Sequence, residues 1–432
     1  MKHLLLFIFL ATNIAYSTDI SNQWTFLIYM EGSHEIAHDL IRNINQVVCA
    51  KPTLPCTIVV QLHTGDTIAW RYQVKPGALL LQDTITITNE SQTDFVNAAQ
   101  WAFTTYPAHH YGIIIGSHGF GILDPHYYPV HEGFAWIIDP DGDNTDCTNN
   151  ACPTEKKSVL YHEDILNQHK NHRGMMFNIT NTTYLTSSAM YKTFKTISNT
   201  ILSGKKLDLL GTDCCKMSML EVCYQVQDYI SYFIGAQNCE LKDGWDFTSL
   251  FNSLKDQEYT PQDIATIIID TYATYYAEHT KTHIYTQSAL DLSQTSTVVD
   301  ALQKVTVHLL ILMDQYPKFT NLIDEARQEC PGMCEAPYYI DLWTWAHNLS
   351  IVCNDIDYLT ISEQTLLIQE LQTLQNSITS MVIAMTAGKA VSFCNGINIY
   401  YPKNHIDPSY EPTKFARETN WLEFLQKTIT NR

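Results

Sequence analysis

Apolar positions along the chain fall into two spacings. Unbroken runs occur at Gln23–Met30 (QWTFLIYM), Cys56–Leu62 (CTIVVQL), Ile113–Ile115 and Leu207–Leu210. Short runs of this kind predict strands covered on both faces. Between them, Ile36, Leu40, Ile44 and Val47 repeat on one helical face of Glu35–Val48, and Phe95, Ala98, Ala99, Ala102 and Phe103 do so across Thr93–Thr104. Trp70–Leu81 reads as a hairpin around Pro76-Gly77. Strands alternating with helices predict an α/β fold with a mainly parallel sheet flanked by helices.

Past the middle, Thr260-Pro261 opens a helix to about Glu278, with Thr as cap and Pro in the first turn. Tyr232–Ala236 and His283–Leu292 read as strands, and Thr297–Met313 as a helix. Tyr339–Trp345 and Glu363–Met381 continue an α-rich C-terminal part, in which Gly396–Pro402 is a late strand and Trp421–Phe424 begins a last helix. The division expected is a leader at 1–17, a catalytic unit at 18–292 and an α-rich C-terminal subdomain at 293–432 that returns a strand to the core.

Two strand ends carry candidate chemistry. Leu207–Leu210 leads through Gly211 to Asp213, Cys214 and Cys215, after which Met219, Cys223, Val226 and Ile230 recur at helical spacing. A cysteine between a strand and a helix start sits where the helix dipole favours a thiolate. The run Ile113–Ile115 leads to Ser117-His118-Gly119-Phe120-Gly121. The two glycines allow a sharp turn that aims backbone N–H groups at a substrate carbonyl. In open parallel sheets that edge is where ligands bind.

Composition narrows the class. The chain has 432 residues, 45% of them hydrophobic and 16% charged, enough for a large core. Its formal net charge of −19 argues against nucleic acid and favours cationic partners. Lys2 and His3, the apolar run Leu4–Leu10 and the small-residue site Ala15-Tyr16-Ser17 predict a secretory leader. No later run is expected to span a membrane, so the mature chain is expected in a secreted, periplasmic or extracellular setting. That setting makes local disulfides the expectation for Cys49 with Cys56, Cys147 with Cys152 and Cys330 with Cys334; Cys223, Cys239, Cys353 and Cys394 complete the set. Asp139, Asp141 and Asp143 alternate as oxygen ligands do in calcium loops, although an EF-hand's glycine and closing Glu are not in register. Calcium is the one cofactor anticipated, and the chemistry itself requires none.

The pair Ser117-His118-Gly119-Phe120-Gly121 and Asp213-Cys214-Cys215-Lys216-Met217-Ser218 resembles the clostripain family of cysteine peptidases, whose pattern is a His-Gly after one strand and Asp-Ala-Cys-Leu-Met-Gly after the next. Cys214 stands in the alanine position, Lys216 replaces Leu and Ser218 replaces Gly. The resemblance covers nearly the whole mature chain, including Ser288–Leu292 and Gly396–Pro402. It implies a caspase-like fold, related to gingipains and legumains, and a secreted endopeptidase that cuts proteins after Arg or Lys. It also implies Cys215 as nucleophile and His118 as base, with the oxyanion held by backbone N–H groups of Gly119 and Cys215. The stretch Gln237–Phe247 resembles the family's substrate-side loop, which makes Asp213 and Asp243 candidates for selecting a cationic side chain; Asp213 is equally suited to capping the following helix. Self-cleavage after Lys156 or Lys157 is expected between the dyad members. The rivals are an inactive family member kept as an interaction protein, and a thiol acyltransferase that shares the dyad.

Overall fold

The computed structural model describes residues 22–32, 34–65, 67–88, 90–123, 175–178, 183–354 and 356–430. Strand β1 (Trp24–Glu31) buries all eight of its residues, as the unbroken apolar run requires of a strand at the middle of a sheet. Then come β2 (Cys56–His63), the hairpin β3 (Ile68–Lys75) and β4 (Ala78–Thr86), and β5 (His110–Gly116). Gly77 supplies the left-handed residue of the hairpin turn, with φ 77°. A two-stranded ribbon, β6 (Met175–Asn178) with β7 (Thr183–Leu185), precedes β8 (Leu207–Asp213), β9 (Ile230–Gly235) and β10 (Thr286–Asp291).

The main sheet has nine strands and ends with β13 (Val382–Ala387), in the order β13-β10-β9-β8-β5-β1-β2-β3-β4. Its five central strands pair in parallel, and the outer strands on each side run antiparallel. The small strands β11 (Gly332–Met333), β12 (Ala336–Asp341) and β14 (Asn398–Tyr400) form a separate sheet. Helices cover both faces of the main sheet, giving one buried cluster around Leu40, Ile44, Phe251 and Ile268 and another around Phe95, Leu210, Leu302 and Trp345. The expected α/β, caspase-like class is the one observed, with a helix-rich C-terminal part.

Four expectations change. The strand at the sheet edge is Val382–Ala387, which the helical reading that stops at Met381 left unassigned. The late run at Gly396–Pro402 contributes only Asn398–Tyr400, paired with β12 in the small sheet. Tyr339 to Asp341 is strand, and the helix begins at Leu342, where the Asp341 side chain accepts from Thr344 N–H. Finally, Leu292–Gln315 is long and apolar enough to cross a membrane by length and composition. Its Val298, Leu302, Val305, Leu309 and Leu312 are buried, and it packs along helix Ile361–Met381, which accounts for its apolar character.

Candidate active site

The two strand ends meet. β5 and β8 are parallel neighbours with Gly116 opposite Asp213, so the residues after each strand leave the same edge side by side. The Gly119 Cα lies so close to the second loop that a Cβ there would stand 2.4 Å from the Cys215 carbonyl oxygen and 3.0 Å from its nitrogen. Only glycine permits that approach. Gly121, at φ 67°, faces Met219, Tyr339 and the Lys216 carbonyl with equally little room. Distant residues pin the His118 loop: Met176 N–H donates to the His118 carbonyl at 3.2 Å, and the Tyr339 hydroxyl donates to the Phe120 carbonyl at 2.7 Å while accepting from Leu123 N–H at 3.1 Å.

The adjacent thiols have different surroundings. Cys214 is fully buried, and its thiol donates to the Ile115 carbonyl at 3.6 Å; burial, with Asp213 second, pushes it well up. Cys215 is half-buried and accepts from Glu240 N–H at 3.2 Å. Its thiol shares a hydrogen bond with Cys239, which together with burial pushes Cys215 well up, whereas Cys239, hydrogen-bonded by Cys215 and Cys334, is held well down. The Lys216 ammonium lies close to both sulfurs and works to lower each of them.

Cys215 does not sit at a helix start, contrary to expectation. The following helix, Leu220–Val226, begins five residues later with Met219 as its cap, and Ile230 already belongs to β9. Backbone pairing takes up the intervening residues: Lys216 N–H donates to Asn238 O, Ser218 N–H to Ala236 O, and Asn398 N–H to Ser218 O. Lys216 adopts φ 59° in this turn and supplies the positive charge that a helix end was expected to give.

Acidic side chains lie in the loops beside Cys215. Asp213 caps no helix; its carboxylate accepts from Trp245 N–H at 3.2 Å beneath Gly244, whose φ of 64° brings the loop down onto it. Burial pushes Asp213 up to about 7, against the lowering effects of Trp245 N–H and Arg42. Glu240, which the sequence reading passed over, buries both carboxyl oxygens without a partner at hydrogen-bonding distance. Burial and then the Asp213 charge push it well up, with the nearby Tyr272 hydroxyl working the other way. Asp243 differs: it is 46% exposed, pairs with Arg42 at 3.6 Å and accepts from the Tyr275 hydroxyl at 3.0 Å. Glu240 is adjacent in sequence to Cys239, but only the folded loop turns it toward Asp213.

A model of the clostripain family, peptidase family C11, matches residues 160–427. The chain belongs to the clostripain family. It is thus a cysteine-type peptidase, a hydrolase that acts on peptide or protein substrates. Solved structures agree in fold. A secreted C11 cysteine protease from Bacteroides thetaiotaomicron, "iotapain", superposes with TM-score 0.63 at 15% identity, over 93% of this chain and all of that one. A secreted C11 protease from the same organism, in complex with an irreversible peptide inhibitor, gives 0.62 at 14% identity over 93% of this chain and 99% of that one. An inactive zymogen C11 protease from Parabacteroides distasonis gives 0.58 at 14% identity, covering 94% and 98%. No curated protein matches the chain.

Among the described residues of this clostripain-family peptidase no disulfide is formed. The expected pairing of Cys330 with Cys334 gives way to another arrangement. The Cys330 thiol donates to the Ala326 carbonyl at 3.2 Å, whereas the Cys334 sulfur groups with Cys239 and Glu335. Cys49 is exposed and Cys56 partly buried, both unbridged. Asp139, Asp141, Asp143, Cys147, Cys152, Lys156, Lys157 and the leader lie outside the described residues.

Proposed function

We propose that this peptidase cleaves after Arg or Lys through Cys215 and His118. The observation that carries the specificity is the acidic pair in the loops beside Cys215, the buried Asp213 carboxylate and the unpartnered, buried Glu240 carboxyl oxygens. Burial raises both carboxyls and the Asp213 charge raises Glu240 further, a penalty that a cation placed beside them would relieve. A guanidinium or ammonium from the substrate is the partner this arrangement calls for. Asp243, already satisfied by Arg42, sits at the rim and orders the loop.

In the proposed reaction the Cys215 sulfur attacks the scissile carbonyl carbon, and the carbonyl electrons move to oxygen near the backbone N–H groups of Gly119 and Cys215. His118 takes the thiol proton and delivers it to the leaving amine. Water then hydrolyses the thioester to release the acid and regenerate the thiol. The leader at 1–17 and the basic pair Lys156-Lys157 support export and self-cleavage in the same reading.

The test compares wild type, Cys215→Ala and Asp213→Asn on fluorogenic peptides ending in Arg, Lys, Asn or Asp. Wild type should turn over the Arg and Lys peptides alone, and Cys215→Ala should lose at least about 10³-fold. Asp213→Asn should lose roughly 10–100-fold in kcat/KM on the basic peptides, the loss of one charge-assisted contact. Equal turnover of Asn or Asp peptides would sink the specificity, and an active Cys215→Ala would sink the nucleophile.

A further inference from the structure

Three loops converge beside the nucleophile and bring soft donor atoms together. The Cys239 and Cys334 sulfurs and a Glu335 carboxylate oxygen all lie within 4.8 Å of one another. Cys239 Sγ is 3.8 Å from the Cys334 carbonyl oxygen and 3.8 Å from Glu335 Oε2. On the other side, the Cys215 sulfur accepts from the N–H of Glu240, the residue after Cys239, at 3.2 Å. Tetrahedral zinc with bonds of about 2.3 Å to sulfur separates its ligands by about 3.8 Å, so small side-chain rotations would close this set around an ion.

The cluster is built rather than accidental. Asn238 ties the loops together: its carbonyl accepts from Lys216 N–H at 2.9 Å and its side-chain oxygen from Cys334 N–H at 2.7 Å. Asn238 is itself buried and anchored, its own N–H donating to Thr286 Oγ1 at 2.9 Å and its side-chain nitrogen to Ile284 O at 3.2 Å. Lys216, 2% exposed, holds Glu335 Oε2 at 3.3 Å, the kind of outer contact that orients a carboxylate ligand and offsets the charge of several thiolates. Thiolates with one carboxylate select a soft or borderline ion over calcium or magnesium.

We propose that Cys239, Cys334 and Glu335 form a zinc site that Cys215 completes as the fourth ligand, so that zinc binding withdraws the nucleophile and reversibly silences the peptidase. Binding converts the three thiols to thiolates and releases their protons to solvent. The inhibitory consequence rests on the reading of Cys215 as nucleophile; the metal site does not.

The test uses the full chain, kept reduced with a non-thiol reductant and titrated with cobalt(II) as a spectroscopic stand-in for zinc. Wild type should bind one equivalent and show sulfur-to-cobalt charge-transfer absorption with tetrahedral visible bands. Cys239→Ser/Cys334→Ser should lose the absorption, Cys215→Ala should keep it at reduced intensity, and circular dichroism should show each variant folded. Zinc should inhibit wild type, and Cys334→Ser should raise the inhibitory concentration at least about 10-fold, with activity in chelator unchanged. Labelling of Cys215 by an Arg-ended electrophile in chelator reports the nucleophile separately. Reduced protein that labels at Cys215 yet gives no charge-transfer band overturns the zinc site and leaves the peptidase reading intact. A band without labelling keeps the site and removes the reading. Cobalt bands that survive in the Cys239→Ser/Cys334→Ser protein overturn the ligand assignment.

Discussion

Consecutive residues at a strand end point to opposite sides, and the Cys214-Cys215 pair uses that alternation. Cys214 faces the core and Cys215 faces the rim, where it meets Glu240 N–H and the Cys239 thiol. The neighbouring Cys239 thiol is the largest influence raising the Cys215 thiol, ahead of burial. In Cys239→Ala that influence is gone, and Cys215 should ionise at lower pH. The rise of kcat/KM with pH, and of the alkylation rate of Cys215, should therefore shift toward acid. A profile that stays in place would show that Cys239 does not set the nucleophile's protonation.

At the scale of elements, the His118 loop belongs to β5 in sequence but is held by parts of the chain far from it. Tyr339, on β12, both donates to the Phe120 carbonyl and accepts from Leu123 N–H. Tyr339→Phe leaves two buried backbone groups without that partner, which should cost about 1–3 kcal/mol. Because the loop carries His118, kcat should fall more than KM rises; equal loss in both would mean that the hydroxyl only stabilises the fold. The glycines at 119 and 121 act on the same loop by letting it press against residues 215–219.

For the whole molecule, stability should depend on pH in the reverse of the usual carboxylate manner. Glu221 is fully buried under the C-terminal part, accepting from Tyr400 N–H at 2.9 Å and the Tyr410 hydroxyl at 3.2 Å, and burial pushes it up to about 7. Asp213 is pushed up to about 7 as well. Both groups bind a proton more tightly folded than unfolded. Their contribution is present in full below the ordinary carboxylate range and is lost as pH rises from there to about 7. Glu221→Gln keeps an acceptor but cannot ionise. It should melt close to wild type at pH 5 and higher at pH 8, by an amount on the order of 1–3 kcal/mol. A lower melting point at pH 8 would mean that the charged form is the stabilising one.

Sequence pattern alone specified the strand-helix order, the turn at Gly77 and the two loops that carry His118 and Cys215, because apolar spacing and turn residues act within a few positions of the chain. It also carried the family motif, whose residues lie in those same loops. What it did not contain was which side chains meet. The short helix after Cys215, the edge strand at 382–387, Glu240 turned toward Asp213, and Cys239 with Cys334 in place of Cys330 with Cys334 all depend on contacts across many tens of residues. Those contacts are fixed by backbone hydrogen bonds between loops and by the space a glycine leaves open. Local propensity cannot see them, since each loop has many conformations of similar energy until its partners are in place.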